Sequence, residues 1–132
     1  MPNFWKKALR QVWGDPDRLS DSDVLRFQWP SIGAGWERGL LSFALAQARQ
    51  ASSDGVTDAQ LMEQVLELPN TRVVVIRGEK DQVVPRQFVK NFFDMFPDVP
   101  VYELKGQGHD PFEENVDEFV DTVGRILDEM NA

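Results

Sequence analysis

The chain contains a single histidine, His109, set in Gly106-Gln107-Gly108-His109-Asp110-Pro111. An imidazole in a glycine-rich loop can take up and return a proton near neutral pH, provided that a partner fixes which ring nitrogen carries it. The sequence offers that partner 28 residues upstream, since Asp81 follows the run Val73-Val74-Val75-Ile76 by way of Arg-Gly-Glu-Lys. A buried carboxylate that accepts the Nδ1–H of an imidazole fixes the tautomer and stabilises the imidazolium formed when Nε2 takes a proton. Each residue taken singly has a plainer reading. Aspartate in a Gly-Glu-Lys-Asp turn bonds its own backbone, and a histidine beside glycine and proline is an ordinary loop residue. The joint pattern is what makes Asp81 and His109 candidate catalytic residues.

For the two to meet, the elements before them must bring both loops to one place. Val73 to Ile76 is an unbroken β-branched run, the pattern of a strand covered by helices on both faces. Val101 to Leu104 reads as a second short strand, and Val89, Phe92, Phe93 and Phe96 between them recur at helical spacing after Pro85, a good first helical residue. Strand, helix, strand is a crossover unit whose strands run parallel, so both following loops emerge at one sheet edge, where open α/β sheets place working residues. A last helix carries Val116, Phe119, Val120, Val123, Ile126, Leu127 and Met130 on one stripe.

The first half reads differently. Phe4 to Val12 is a helix broken by Trp-Gly-Asp-Pro-Asp, and Ser20 with Asp23 caps the next one. Trp36 to Arg49 places Trp36, Leu40, Phe43, Ala44 and Ala48 on one face, Ala51-Ser52-Ser53-Asp54-Gly55 ends that helical stretch, and Thr57 with Gln60 opens a helix through Leu66. The division drawn from this is a helical region over residues 1–53 and a strand-bearing region over 54–132.

Composition removes several function classes. With 14 basic against 22 acidic residues and a formal charge of −8, the chain has no basic stripe for a nucleic-acid backbone. The absence of cysteine excludes a disulfide framework, a thiolate zinc site and a cysteine nucleophile, and one histidine excludes a His-rich metal site. Asp110 to Glu118 is acidic but lacks the alternating oxygen ligands and turn glycine of a calcium loop. No metal and no cofactor is expected. No segment approaches the ~20 apolar residues of a membrane span, and no signal-peptide run is visible, so no membrane partner and, by default, a cytoplasmic location are expected.

The stretches VVVIRGEKDQVVP (73–85) and YELKGQGHDPFEENVDEFVDTV (102–123) resemble the C-terminal part of the α/β-hydrolase family. In that family an acid after one strand and a histidine after the last strand complete a catalytic triad. The resemblance implies that Asp81 is the triad acid and His109 the general base, and that residues 1–53 form the helical cap, or lid, over a partial α/β-hydrolase core with two parallel strands. It is nearest to capped hydrolases of photosynthetic organisms, which opens a plastid location for a full-length parent.

The departure from the family lies in the nucleophile. The family places a serine in G-x-S-x-G upstream of the cap. None of Ser20, Ser22, Ser31, Ser42, Ser52 and Ser53 has a glycine at −2 together with one at +2, and no second histidine supplies an oxyanion-hole His-Gly. The expectation is therefore a C-terminal portion of a serine-type hydrolase for an ester-like carbonyl substrate, inactive by itself and dependent on a nucleophile from elsewhere. An aspartate nucleophile would fit the same acid and base. Trp5, Trp13, Trp29 and Trp36 can pack helices together; alternatively Trp29 and Trp36 roof a substrate pocket for an apolar acyl or alkyl group. The sole tyrosine, Tyr102, lies in a strand, away from the cap position at which epoxide-opening relatives use tyrosine. A second function, from a different class, is a non-catalytic binding module that docks a protein partner through an exposed strand edge or the aromatic cap.

Overall fold

A computed structural model describes residues 2–50, 55–84 and 86–131, so Ser52, Ser53 and Pro85 lie outside the described residues. Helix α1 (Pro2–Val12) ends at Trp13-Gly14, and a 3-10 turn over Pro16–Arg18 follows, capped by the Asp15 side chain accepting the Asp17 N–H. Helix α2 (Asp21–Gln28) opens on a reciprocal cap: the Asp23 N–H donates to Ser20 Oγ, and the Ser20 N–H donates to the Asp23 carboxylate. That exchange, with the Ser20 hydroxyl foremost, holds the Asp23 carboxyl below its ordinary value despite partial burial, helped by the Arg26 charge.

Helices α3 (Trp36–Gln50) and α4 (Asp58–Leu66) come next, the latter starting on a full capping box between Thr57 and Gln60. Strand β1 (Val75–Gly78), helix α5 (Arg86–Met95) and strand β2 (Val101–Leu104) form the crossover, and the chain closes with α6 (Pro111–Glu114) and α7 (Val116–Asn131). The fold is mixed helix and strand with one sheet of two parallel strands, in register Val75↔Val101 through Gly78↔Leu104.

Two elements depart from expectation. The first strand is shifted two residues from Val73–Ile76, because pairing begins where the Val75 N–H donates to the Pro100 carbonyl, and Val73 and Val74 precede that partner. Its Val75, Ile76 and Arg77 are half-buried, not buried on both faces. The short α6 was not expected from the sequence; Pro111 starts it, and the Asp110 carbonyl accepts the N–H groups of Glu113 and Glu114.

The chain divides into two compact units, residues 1–26 with 74–132, and residues 27–73. In the first unit, Leu9, Trp13 and Val24 from the N-terminal segment are buried, as are Phe96, Val99, Leu104 and Ile126 from the strand-bearing segment. Tyr102 reaches from β2 to Glu129 on α7 at 2.8 Å, while Val101 and Glu103, on the other face by strand alternation, border α5 at Val89 and Phe93. The buried stripe of α7 runs through Thr122 and Ile126; Val116, Val120 and Leu127 are exposed, so the helix is rotated from the apolar stripe read off its sequence. In the second unit Leu40, Leu41, Phe43 and Leu45 of α3 are exposed. No described helix is long and apolar enough to cross a membrane.

Candidate active site

The two loops that follow β1 and β2 are stitched together by backbone. The Glu79 N–H donates to the Leu104 carbonyl at 2.9 Å, the Lys80 N–H donates to the Gln107 carbonyl at 2.8 Å, and the Gly106 N–H donates to the Glu79 carboxylate at 2.9 Å. Continuing the ladder past the strand ends in this way is what brings Asp81 and His109 together. Their side chains meet at 3.0 Å, His109 Nδ1 to Asp81 Oδ2.

Asp81 is aimed by its own loop. One carboxylate oxygen, Oδ1, accepts the N–H groups of Val83 at 2.8 Å and Val84 at 3.0 Å, leaving Oδ2 for the imidazole. The side chain is 9% exposed against 35% for His109. Burial pushes the Asp81 carboxyl up, but the hydrogen bond from His109, the two backbone amides and the imidazolium charge together outweigh it and hold the group below the ordinary carboxylate range. An ionised carboxylate only accepts, so His109 presents Nδ1–H to it. Nε2 is then left without a hydrogen-bond partner among the described residues.

His109 is held by its backbone as well. Its N–H donates at 2.7 Å to the Val12 carbonyl, one of the unpaired carbonyls at the C-terminus of α1. Gly14, Gly78 and Gly108 pack backbone to backbone at this point. A Cβ on Gly108 would fall on the Val12 carbonyl and the Gly14 nitrogen, and one on Gly78 would fall on the carbonyls of Gly108 and Gln107. The Glu114 carboxylate closes the arrangement, accepting the Gly108 N–H at 2.6 Å and the Gly14 N–H at 2.8 Å. Burial raises the Glu114 carboxyl above its ordinary value, against the pull of those two amides and Arg18. The neighbouring Asp110 is also raised, first by burial and further by Glu113 and Asp81, with His109 acting the other way. Gln107, in the same loop, is buried and donates to Glu118 at 2.6 Å.

A groove of about 630 Å³ has Asp81 and His109 in its wall, and Ile76, Val84, Phe88, Phe92 and Met95 make it mainly apolar. It borders β1. Because Val75 and Glu79 direct their N–H groups to the β2 side, strand alternation turns the N–H groups of Ile76 and Gly78 to the other edge, where no described strand pairs with them. Trp29 opens a 3-10 turn in the second unit and is 69% exposed, whereas Trp36 starts α3 and is half-buried. Tyr102 lies in β2. Among the described residues no cluster of three or more His, Cys, Asp or Glu side chains could hold a metal ion.

The sequence marks Glu113 or Glu114, with Phe119, downstream of the Gly-x-Gly-His-x-Pro stretch at Gly106 to Pro111, and marks Gly14 as a helix breaker, but it assigns neither Glu114 nor Gly14 a bond in this site. Their pairing across the fold is what the structure adds. Comparisons with protein-family models, with curated proteins and with solved structures find no match.

Proposed function

We propose that this chain supplies the acid and base of a serine-type α/β-hydrolase acting on an ester or similar carbonyl substrate, with the nucleophile coming from outside these 132 residues. The observation that carries the reading is the 3.0 Å contact between His109 Nδ1 and an Asp81 carboxylate oriented by two backbone amides. With Nδ1–H committed to Asp81, Nε2 is the basic nitrogen, and it is free to take a proton from a hydroxyl and return it to a leaving group. The low-lying Asp81 carboxyl stays ionised through the neutral range and so stabilises the imidazolium formed in between. The apolar groove beside the pair, lined by Ile76, Val84, Phe88, Phe92 and Met95, supports an acyl or alkyl substituent.

Complementation tests this. A polypeptide carrying a G-x-S-x-G segment, mixed with this chain, is expected to cleave a p-nitrophenyl ester, and His109→Ala is expected to lower that rate by roughly 10³-fold or more, because members of such a set act as a unit. Cleavage indifferent to His109→Ala sinks the assignment.

The free edge of β1 favours one second reading, a non-catalytic module that docks a partner strand there. It predicts a stable complex by size-exclusion chromatography that forms equally with Asp81→Asn and His109→Ala. A complex dependent on those side chains, or a monodisperse monomer with every partner offered, counts against it.

A further inference from the structure

We infer that Glu114 is the positioning residue of His109: one carboxylate ties the histidine loop to the end of α1 and thereby sets the imidazole against Asp81. The inference deepens the reading of Asp81 and His109 as acid and base, and its catalytic meaning rests on that reading. It begins from two backbone donors that converge. The N–H groups of Gly14 and Gly108, far apart in sequence, point to one place and need an acceptor there. Only backbone fits between them, since a Cβ on either glycine would overlap the other strand of chain. A carboxylate answers this geometry with its two oxygens, Oε1 to Gly108 at 2.6 Å and Oε2 to Gly14 at 2.8 Å.

The link to His109 is short. Gly108 is its chain neighbour, and the His109 N–H is already bonded to the Val12 carbonyl, two residues before Gly14. The His109 N–H bond holds the Gly108–His109 peptide and the Gly108 N–H bond holds the peptide before it, so two consecutive peptides are clamped at the α1 terminus. Rotation of this backbone would swing the ring off Asp81. Glu114 is itself braced, because its carbonyl accepts from Arg18 at 3.3 Å and its neighbour Glu113 is ion-paired with Arg26. A glutamine does not reproduce this geometry: Gly108 and Gly14 are each met by a different carboxylate oxygen, and the side-chain amide places an NH2 donor where one of those two oxygens stood.

The single histidine makes the test direct, since every imidazole NMR signal belongs to His109. In the full chain, hydrogen exchange of the His109 Nδ1–H and ring ¹⁵N shifts, which report the tautomer, are compared among wild type, Glu114→Gln, Glu114→Asp and the core control Ile126→Val. Asp81→Asn marks the released ring. Glu114→Gln is expected to speed Nδ1–H exchange at least tenfold and to move the ¹⁵N shifts towards a mixture of tautomers, while Ile126→Val leaves both unchanged. A Glu114→Gln ring that keeps the wild-type exchange and tautomer overturns the inference, as do Gly14 and Gly108 amides that exchange like open-loop amides in the wild type. If Glu114→Gln does not fold, Glu114→Asp decides, because a chain one methylene shorter cannot span both glycines. Exchange at least threefold faster supports the clamp, and unchanged exchange overturns it. No substrate is involved, so failure of the clamp and failure of ester cleavage are separate results.

Discussion

A carboxylate that accepts two backbone amides on one oxygen cannot turn to follow an imidazole, so the geometry of the acid–base pair is decided at Asp81 before His109 arrives. This has a consequence for stability. Folding holds the Asp81 carboxyl below its ordinary value of 3.8, so the folded state favours the carboxylate. The stabilisation is complete above that ordinary value and is lost as pH falls through the lower folded-state value. Asp81→Asn is therefore expected to cost about 1–3 kcal/mol at pH 7, the range for leaving buried donors with a poorer acceptor, and progressively less towards pH 2. Urea denaturation at the two pH values measures the difference. A cost independent of pH would show that the carboxylate charge contributes nothing. Glu114 runs the other way: its raised carboxyl favours the protonated form in the fold, a contribution complete below its ordinary value of 4.5 and lost as pH rises through the higher folded-state value. The wild-type acid limb thus contains opposed contributions, and the difference curve of the Asp81 variant is what isolates one of them.

At the scale of elements, close approach of backbone governs the site, and glycines mark where it happens. Gly108→Ala puts a Cβ onto the Val12 carbonyl and the Gly14 nitrogen, neither of which is a side chain able to swing away. A loss of roughly 3 kcal/mol is expected, at the upper end of overpacking costs. Gly124, inside α7, has nothing within 4 Å of its would-be Cβ. Gly124→Ala should therefore stabilise by about 0.5–1 kcal/mol, the ordinary gain of alanine over glycine in a helix. Opposite shifts in melting temperature for the two alanines are the expected result, and equal shifts would contradict the interlock. The same contrast explains what was legible beforehand. β2 at Val101–Leu104, the Thr57 cap of α4 and the closeness of Asp81 to His109 follow from local pattern plus one crossover, and all are present. The start of β1 depends on where Pro100 presents its carbonyl, and the buried face of α7 depends on Thr122, a residue no apolar count selects. The bond that Glu114 makes is illegible for a similar reason: its partner Gly14 is 100 residues away, and no periodicity spans that distance.

For the whole molecule the decisive feature is that the unit holding His109 is built from two separated stretches, residues 1–26 and 74–132. Leu9, Trp13 and Val24 from the first stretch are among its buried apolar side chains, and the same stretch supplies Val12 to the loop after β2 and Gly14, Arg18 and Arg26 to Glu113 and Glu114 of α6. Burial of three such side chains is worth about 1.5–3 kcal/mol each, a sum comparable with the ~5–15 kcal/mol that holds a domain folded. Residues 27–73 contribute no buried apolar side chain among those described. Replacing 27–73 by a Gly/Ser linker of equal length adds only a slowly growing loop-closure cost. The linker variant is expected to keep the wild-type His109 Nδ1–H signal, whereas a chain starting at Phe27 is expected to lose it together with a cooperative melt. Adding residues 1–26 back as a separate peptide should then restore the signal in proportion to peptide concentration, since binding to the folded form stabilises it by mass action. A chain starting at Phe27 that retains the imidazole signal would mean that the loops after β1 and β2 hold the pair unaided, and the contacts to α1 would then be packing without consequence for the site.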